Sequence, residues 1–184
     1  MAGKHVLVDM DNVLVATMQG YNKRLDEMFP EIKIIPYEQI TDHNFHELYP
    51  KELVPKLEKV WKSQGLFLRL APISGALEAI EGISRNNDVL ICSRPFLDSP
   101  FCESEKKEWI RAYLGREWAK RLVLVRDKTR IRGELLIDDH PGQEKGAYTP
   151  DWEQVLYTQP WNIQDTQRRR LTWQNWKQVL PELL

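Results

Sequence analysis

Two aspartates, Asp9 and Asp11, stand two residues apart directly after the short apolar run 6–8. In a parallel sheet the carboxyl ends of the strands form the ligand crevice, so side chains at such a position face a ligand. Carboxylates there can bind a cation or take part in acid–base chemistry. Taken alone, the segment also fits a plainer interpretation, a turn in which an aspartate caps a helix.

A second acidic pair, Asp138 and Asp139, follows the apolar run 135–137 and is expected at the same edge of the sheet. Carboxylates that converge there repel one another unless a cation neutralises them. A set of oxygen ligands favours a hard ion, and Mg²⁺ is the best match. Without the first pair, Asp138 and Asp139 would be interpreted as the solvated start of a loop.

Two further strand ends carry groups that suit a phosphate. Ser93 and Arg94 follow the apolar run 89–91, and Arg126 and Lys128 follow the run 122–125. Hydroxyl, guanidinium and ammonium groups all donate to phosphate oxygens. The order along the chain is therefore acid, hydroxyl, cation and acid, each at a strand end, which is difficult to attribute to chance.

The elements that must position these residues are short apolar strands separated by helical patterns. The strand candidates are residues 6–8, 89–91, 122–125, 135–137 and 155–157. This alternation predicts an α/β fold with a Rossmann-like parallel sheet of about five strands, covered on both faces. Helical patterns in residues 18–66 predict a small helical cap inserted after the first strand. Residues 1–17 and 67–184 form the core in this prediction. A last helix is expected from Thr172.

Composition limits the classes of protein that fit. The chain has 184 residues, 42% hydrophobic and 29% charged, and a formal net charge of -1, as expected of one globular domain with a small insertion. The near-neutral balance argues against binding of a nucleic-acid polymer. Cys92 and Cys102 are too few for a disulfide framework, and no signal peptide or membrane span is seen. A reduced cytoplasmic location is therefore expected.

The spacing of these motifs resembles the haloacid dehalogenase superfamily of phosphatases. Within it, the segments around Asp9, Ser93, Lys128 and Asp138 are similar to those of the 5'(3')-deoxyribonucleotidases, and the resemblance runs almost end to end. It implies a Mg²⁺-dependent phosphatase that hydrolyses nucleoside or deoxynucleoside 5'-monophosphates through an aspartyl-phosphate. It also implies a homodimer and small-molecule substrates.

The resemblance assigns roles to the acids. Asp9 is expected to be the nucleophile that attacks phosphorus, and Asp11 the general acid and later the base. The metal is expected to be held by Asp9, the backbone carbonyl of Asp11 and the pair Asp138 and Asp139, with Asp139 favoured as the direct ligand.

The same resemblance places Ser93 and Lys128 at the transferring phosphoryl group and Lys106 at the phosphate. Phe45 and Phe67 are the expected aromatic residues of the nucleoside pocket. For any one aromatic residue, burial in the core is the alternative.

Several positions depart from the family pattern. Asn12 stands in place of the usual glycine, Thr17 in place of an aromatic residue, and Ser93 and Arg94 in place of Thr-Ser. The missing aromatic at Thr17 leaves open a phosphatase of the same mechanism for sugar phosphates or other small phosphomonoesters. A non-catalytic sensor of a phosphate ligand is an alternative of another class, and transfer of the phosphoryl group to an alcohol is a further one.

Overall fold

A computed structural model describes residues 3–142 and 146–184 of the chain. Six strands form one sheet in the order β3-β2-β1-β4-β5-β6, and every neighbouring pair is parallel. The strands are β1 (His5–Val8), β2 (Asp88–Ser93), β3 (Leu122–Leu124), β4 (Leu135–Asp138), β5 (Glu153–Tyr157) and β6 (Arg170–Leu171). The predicted parallel α/β fold is confirmed, with one strand more than expected.

Helices lie in the connections from β1 to β2 and from β2 to β3, and after β6. They are α1 (Thr17–Met28), α2 (Val54–Trp61), α3 (Ala76–Ser84), α4 (Cys102–Tyr113), α5 (Arg116–Lys120) and α6 (Trp176–Val179). Among the described residues no helix is both long and apolar enough to span a bilayer.

The central strands are apolar along their whole length. In β1, Val6, Leu7 and Val8 are fully buried, and the side chains of β4 are equally inaccessible. Strands buried on both faces need no polar alternation, because each row of side chains meets a helical layer. Short apolar runs of this kind could therefore be recognised in the sequence.

The segment between β1 and β2 begins with α1, contains α2 and several short 3₁₀ turns, and contributes no strand to the sheet. Tyr21, Phe45 and Leu57 from this segment belong to the same hydrophobic cluster as Val8 of β1. The helical segment thus packs on the core through a continuous apolar contact. Its division from the core at residues 18 and 66 stays a prediction.

The carboxy-terminal helix is shorter than predicted. It covers Trp176–Val179 rather than starting at Thr172. The Thr172 backbone N–H donates to the Asn175 side chain at 2.7 Å, which closes a turn ahead of the helix. The Trp173 indole donates to the Val13 carbonyl at 2.6 Å. Trp173 is therefore anchored to the loop after β1 and is not part of the helix.

Strand register sets the height of the polar residues. Val8 pairs with Ile91 of β2 on one side and with Ile137 of β4 on the other. The residues that follow, Asp9 and Asp138, therefore emerge at the same level of the sheet edge.

Candidate active site

Lys128 links the acids of two neighbouring strands. Its Nζ atom lies 2.7 Å from Asp9 Oδ1 and 2.5 Å from Asp138 Oδ2, and all three residues are buried. Lys128 belongs to a short 3₁₀ turn after β3, started by Asp127, whose side chain accepts the Thr129 N–H. The loop after β3 thus directs an ammonium group into the gap between β1 and β4.

Burial and charge change the ionisation of these groups. Burial raises the pKa of Asp9 from 3.8 to about 7, with Lys128 opposing the change. Burial also raises the pKa of Asp139 well above its ordinary value, and the charges of Asp138 and Asp9 add to the effect. Burial alone would raise the pKa of Asp138, but the Lys128 ammonium holds it below its ordinary value. Burial disfavours the charge on Lys128, yet Asp138 and Asp9 together raise its pKa.

Three carboxylates converge in this place. One oxygen from each of Asp9, Asp138 and Asp139 can be chosen so that all lie within 4.8 Å of one another, and the three residues are buried. One lysine cannot neutralise three carboxylates, and the raised pKa values of Asp9 and Asp139 reflect burial first and repulsion between the carboxylates second. Oxygen donors in this number suit a hard divalent cation, so the donor set fits such an ion.

Asp11 has a separate set of partners. Its Oδ1 atom accepts the Thr17 hydroxyl at 2.9 Å, and its Oδ2 atom accepts the Ser93 hydroxyl at 3.1 Å. The Lys106 ammonium makes a short contact with the same Oδ2 atom. Lys106 also donates to Ser93 Oγ at 2.9 Å and to the Arg94 carbonyl at 3.0 Å. Asp11 is therefore held by donors from α1, β2 and α4.

The loop directly after Asp11 turns at Asn12, whose φ of 55° lies in the left-handed region. Asparagine tolerates this conformation better than most residues with a Cβ atom. Its Oδ1 atom accepts the Met18 N–H at 3.0 Å at the start of α1. The Gln159 side chain makes a short contact with the Asn12 carbonyl and also bonds the Tyr37 hydroxyl. Side-chain capping here replaces the glycine turn expected from the family pattern.

A cavity of about 470 Å³ opens above these groups. Its floor includes Asp9, Asp11 and Lys128. Its walls carry four aromatic side chains, namely Phe45, Trp61, Phe67 and Phe96. The Trp61 ring lies 6.1 Å from that of Phe67 and 5.9 Å from that of Phe96, centroid to centroid. The cavity thus combines charged side chains with a cluster of aromatic ones, and the Phe67 ring lies 5.0 Å from Lys106 Nζ.

The structure brings most of the predicted site residues to this cavity. The lining includes Asp9, Asp11, Phe45, Phe67, Arg94, Lys106, Lys128, Asp138 and Asp139. Ser93 lies immediately behind it through its bond to Asp11. Arg126 is exposed and is not among the described lining residues, and its carbonyl accepts the Arg94 Nε–H at 3.1 Å. Its predicted contact with substrate is therefore indirect in this geometry.

Other residues also line the cavity. Trp61 and Phe96 do so, and neither is among the site residues predicted from the sequence. His43 lines the cavity, and its ring lies 4.6 Å from that of His140. The sequence signal for Phe96 is its place three residues after Ser93, the end of β2, because residues that follow a strand end share its edge of the sheet.

Solved structures of known hydrolases share this fold. A HAD family hydrolase from Deinococcus radiodurans with bound phosphate and sodium superposes with a TM-score of 0.60 at 13% identity, covering 99% of this chain and 96% of its own. A haloacid dehalogenase-like hydrolase from Streptococcus pneumoniae gives 0.63 at 10% identity, covering 93% and 94%. The chain therefore has the fold of the haloacid dehalogenase-like hydrolases, with its acids at the strand ends.

The chain belongs to the family described as "5' nucleotidase, deoxy (Pyrimidine), cytosolic type C protein", which matches residues 4–183. It is 38% identical over 186 residues to the cytosolic type 5'(3')-deoxyribonucleotidase of Homo sapiens, covering 95% of this chain and 92% of that protein. The mitochondrial 5'(3')-deoxyribonucleotidase of Homo sapiens is 35% identical over 185 residues, covering 95% and 81%. The chain is accordingly a phosphoric monoester hydrolase.

Proposed function

We propose that the chain hydrolyses nucleoside and deoxynucleoside 5'-monophosphates, with Asp9 as the nucleophile. The observation that carries this proposal is that Asp9, beside Lys128, and four aromatic side chains line one cavity. A nucleotide combines the two matching kinds of group, a phosphate and a flat base. The relatives named 5'(3')-deoxyribonucleotidases support the same substrate class.

In the first step an Asp9 carboxylate oxygen attacks phosphorus. The bond between phosphorus and the nucleoside oxygen breaks, and Asp11 gives its proton to that oxygen as it leaves. The nucleoside departs as an alcohol, and the phosphoryl group stays on Asp9 as an aspartyl-phosphate. Asp11 is ionised at the end of this step.

In the second step a water molecule attacks the phosphorus of the aspartyl-phosphate. Asp11 takes the proton of this water, the bond between Asp9 and phosphorus breaks, and inorganic phosphate leaves. Both aspartates then return to their starting protonation states. Asp11 must reach the leaving oxygen and the water in turn, which suits its position in the cavity lining, where Ser93 holds it from behind.

Negative charge on Asp9 and on the phosphate opposes the attack. Lys128 and Lys106 hold buried positive charge near the two acids, and Ser93 adds a hydroxyl donor. Positioned cations of this kind are the main protein contribution to phosphoryl transfer. We assign Lys128 and Ser93 to the transferring group and Arg94 to the phosphate oxygens, while Lys106, which donates to Asp11, Ser93 and the Arg94 carbonyl, acts on the phosphate through its charge.

We propose that Mg²⁺ is the metal. Asp9, the Asp11 carbonyl and Asp139 would hold it, with Asp138 beside them. When bound, Mg²⁺ would supply the positive charge that offsets repulsion between Asp9 and the phosphate. The oxygen donor set and the excess of carboxylates over ammonium groups support this choice.

Residues 18–66 form the cap in this proposal. They contribute His43, Asn44, Phe45, His46 and Trp61 to the cavity, whereas the acids come from the sheet. Such a cap separates the reaction from bulk water and selects small substrates. We infer that the aromatic side chains of the cap contact the nucleoside.

A panel of phosphomonoesters tests the proposal. The full chain would be assayed for phosphate release with Mg²⁺ and with a chelator, on deoxynucleoside and ribonucleoside monophosphates, hexose phosphates and 4-nitrophenyl phosphate. We expect kcat/KM for the nucleotides to exceed that for hexose phosphates by about tenfold or more, a difference of about 1.4 kcal/mol. The reverse order would instead identify a sugar phosphatase. Absence of phosphate release from every ester would identify a non-catalytic sensor.

A further inference from the structure

Thr17 contacts Asp11 from the side opposite to Ser93 and Lys106. The Thr17 hydroxyl donates to Asp11 Oδ1 at 2.9 Å, whereas Ser93 and Lys106 both donate to Oδ2. We propose that Thr17 is a positioning residue for the proton transfer made by Asp11, an inference that rests on the proposed function. Nothing else in that function requires a hydroxyl group at this position.

The backbone fixes where the Thr17 hydroxyl can be. Val15 forms one bridge with Asp11 and another with Pro72, and the Ala16 N–H donates to the Ala71 carbonyl at 2.9 Å. Thr17 then begins α1 and is 1% exposed. Its branched Cβ leaves few rotamers in a helix. Thr17 therefore presents its hydroxyl from a rigid support.

The two oxygens of Asp11 are not equivalent. The ammonium of Lys106 donates to Asp11 Oδ2, Ser93 Oγ and the Arg94 carbonyl, which uses all three of its protons. Oδ2 is thus surrounded by donors, and a proton carried by Asp11 belongs on Oδ1. A carboxyl oxygen that carries a proton can still accept a bond from a hydroxyl. Thr17 occupies that acceptor site and leaves the proton of Oδ1 directed towards the cavity.

Thr17 does not change which bonds form and break when Asp11 protonates the leaving oxygen. The proton moves from Asp11 Oδ1 to the leaving oxygen while the bond from phosphorus to that oxygen breaks. The Thr17 hydroxyl keeps its own proton and donates to the carboxylate that forms. The effect of the Thr17 hydroxyl is to fix the direction of the Asp11 carboxyl group. A misdirected carboxyl group lowers kcat more than it weakens substrate binding.

Leaving groups of different basicity distinguish positioning from a structural role. An alkyl phosphate releases an alkoxide and needs a proton in the transition state. 4-Nitrophenyl phosphate releases a weakly basic phenolate and depends on that proton far less. General acid catalysis contributes about 10²–10⁴-fold where it is needed. A loss of proton transfer must therefore fall on the alkyl ester more heavily than on the aryl ester.

The test compares Thr17→Val, which keeps the shape, with Thr17→Ser, which keeps the hydroxyl. For Thr17→Val we expect kcat for an alkyl phosphate to fall about tenfold more than kcat for 4-nitrophenyl phosphate, with a much smaller change in KM. Thr17→Ser should restore most of the difference. An equal loss for both esters, or no recovery in Thr17→Ser, would overturn the inference.

Tyr21→Phe is the matched control. Tyr21 lies on the same helix, and its buried hydroxyl donates to the Leu57 carbonyl at 2.8 Å, away from Asp11. Removing it should lower stability without changing the ratio of the two esters, and a changed ratio would contradict a specific role for Thr17. If the unmodified chain releases phosphate from neither ester, the proposed function itself fails, and this is seen before any variant is compared.

Discussion

Lys128 Nζ lies 2.5 Å from Asp138 Oδ2, and this contact separates the roles of two adjacent aspartates. The other oxygen of Asp138 accepts the His140 N–H at 2.8 Å, so both of its oxygens have partners in the protein. Asp139 Oδ2 accepts the neutral indole N–H of Trp161 at 3.1 Å. Because an indole carries no charge, Asp139 is the carboxylate that gains more from a cation.

Substituting the two aspartates should therefore give different results. We expect Asp139→Asn to weaken Mg²⁺ binding by about 10–100-fold or more, since it removes a charged ligand. Asp138→Asn should retain more of the Mg²⁺ affinity than Asp139→Asn does. It should lower the free energy of unfolding by about 1–3 kcal/mol, because Lys128 loses a buried partner. Calorimetric titration with Mg²⁺ and urea unfolding measure the two effects. Equal loss of affinity in both variants would contradict the division of roles.

Asp9→Asn should abolish turnover without unfolding the protein. The amide cannot form an acyl phosphate, so we expect kcat to fall by at least about 10³-fold. Burial has raised the pKa of Asp9 to about 7, so the neutral amide should not be less stable than the ionised acid above that pH. Asp26→Asn, the same change on an exposed part of α1, is the control and should retain activity. Residual turnover near the unmodified level would exclude Asp9 as the nucleophile.

Stabilisation by Mg²⁺ should depend on pH through the same carboxyl group. The pKa of Asp9 rises from 3.8 to about 7 on folding without added metal, so its contribution to stability is fully present below the unfolded value and is lost as pH rises to about 7. Mg²⁺ binds the ionised form. Below that pH it must displace a proton, and its apparent affinity falls by up to about tenfold per pH unit for one proton.

Thermal unfolding at several pH values checks this relation. At about 100 times its Kd, Mg²⁺ adds about 2.7 kcal/mol to the free energy of unfolding. For a chain of 184 residues that corresponds to a rise in Tm of about 5–10 °C. We expect the rise at fixed Mg²⁺ to be larger above pH 7 than below it. A rise that is independent of pH would show that Asp9 does not bind the metal.

The sequence predicted the sheet and the acids because both depend on local patterns. Strand ends in a parallel sheet meet at one edge, and the pairing of Val8 with Ile137 places Asp9 beside Asp138. The sixth strand was missed because Arg170–Leu171 has only two residues inside a basic run. A pattern so short carries no periodicity.

Contacts between residues that are far apart in the sequence could not be predicted. The Trp173 indole reaches the Val13 carbonyl across 160 positions, and its helical spacing in the sequence gives no sign of that contact. The bond from Thr17 to Asp11 depends on the turn at Asn12, where a residue with a Cβ atom takes a positive φ. Such a conformation is set by the surrounding structure rather than by local propensity.

Glu105 is another residue whose role only the structure reveals. It lies in α4 and is buried, although a glutamate in a helix is usually exposed. Its two carboxylate oxygens accept the backbone N–H groups of Gly65 at 2.5 Å and Phe67 at 3.1 Å. These bonds fix the segment that returns from the helical insertion to the core, and with it the aromatic ring of Phe67 in the cavity wall.

Glu105→Gln should lower stability and disturb the cavity. The amide nitrogen would face a backbone N–H, so one hydrogen bond is lost and a buried donor is left unpaired, at a cost of about 1–3 kcal/mol in the free energy of unfolding. Phe67 lines the cavity and is an expected residue of the nucleoside pocket, so we also expect KM for a nucleotide to rise more than KM for 4-nitrophenyl phosphate. Urea unfolding and steady-state kinetics measure these effects. The exposed Glu103→Gln, on the same helix, should change stability by less than about 0.5 kcal/mol. If Glu105→Gln behaved like that control, the return segment would not depend on the buried carboxylate.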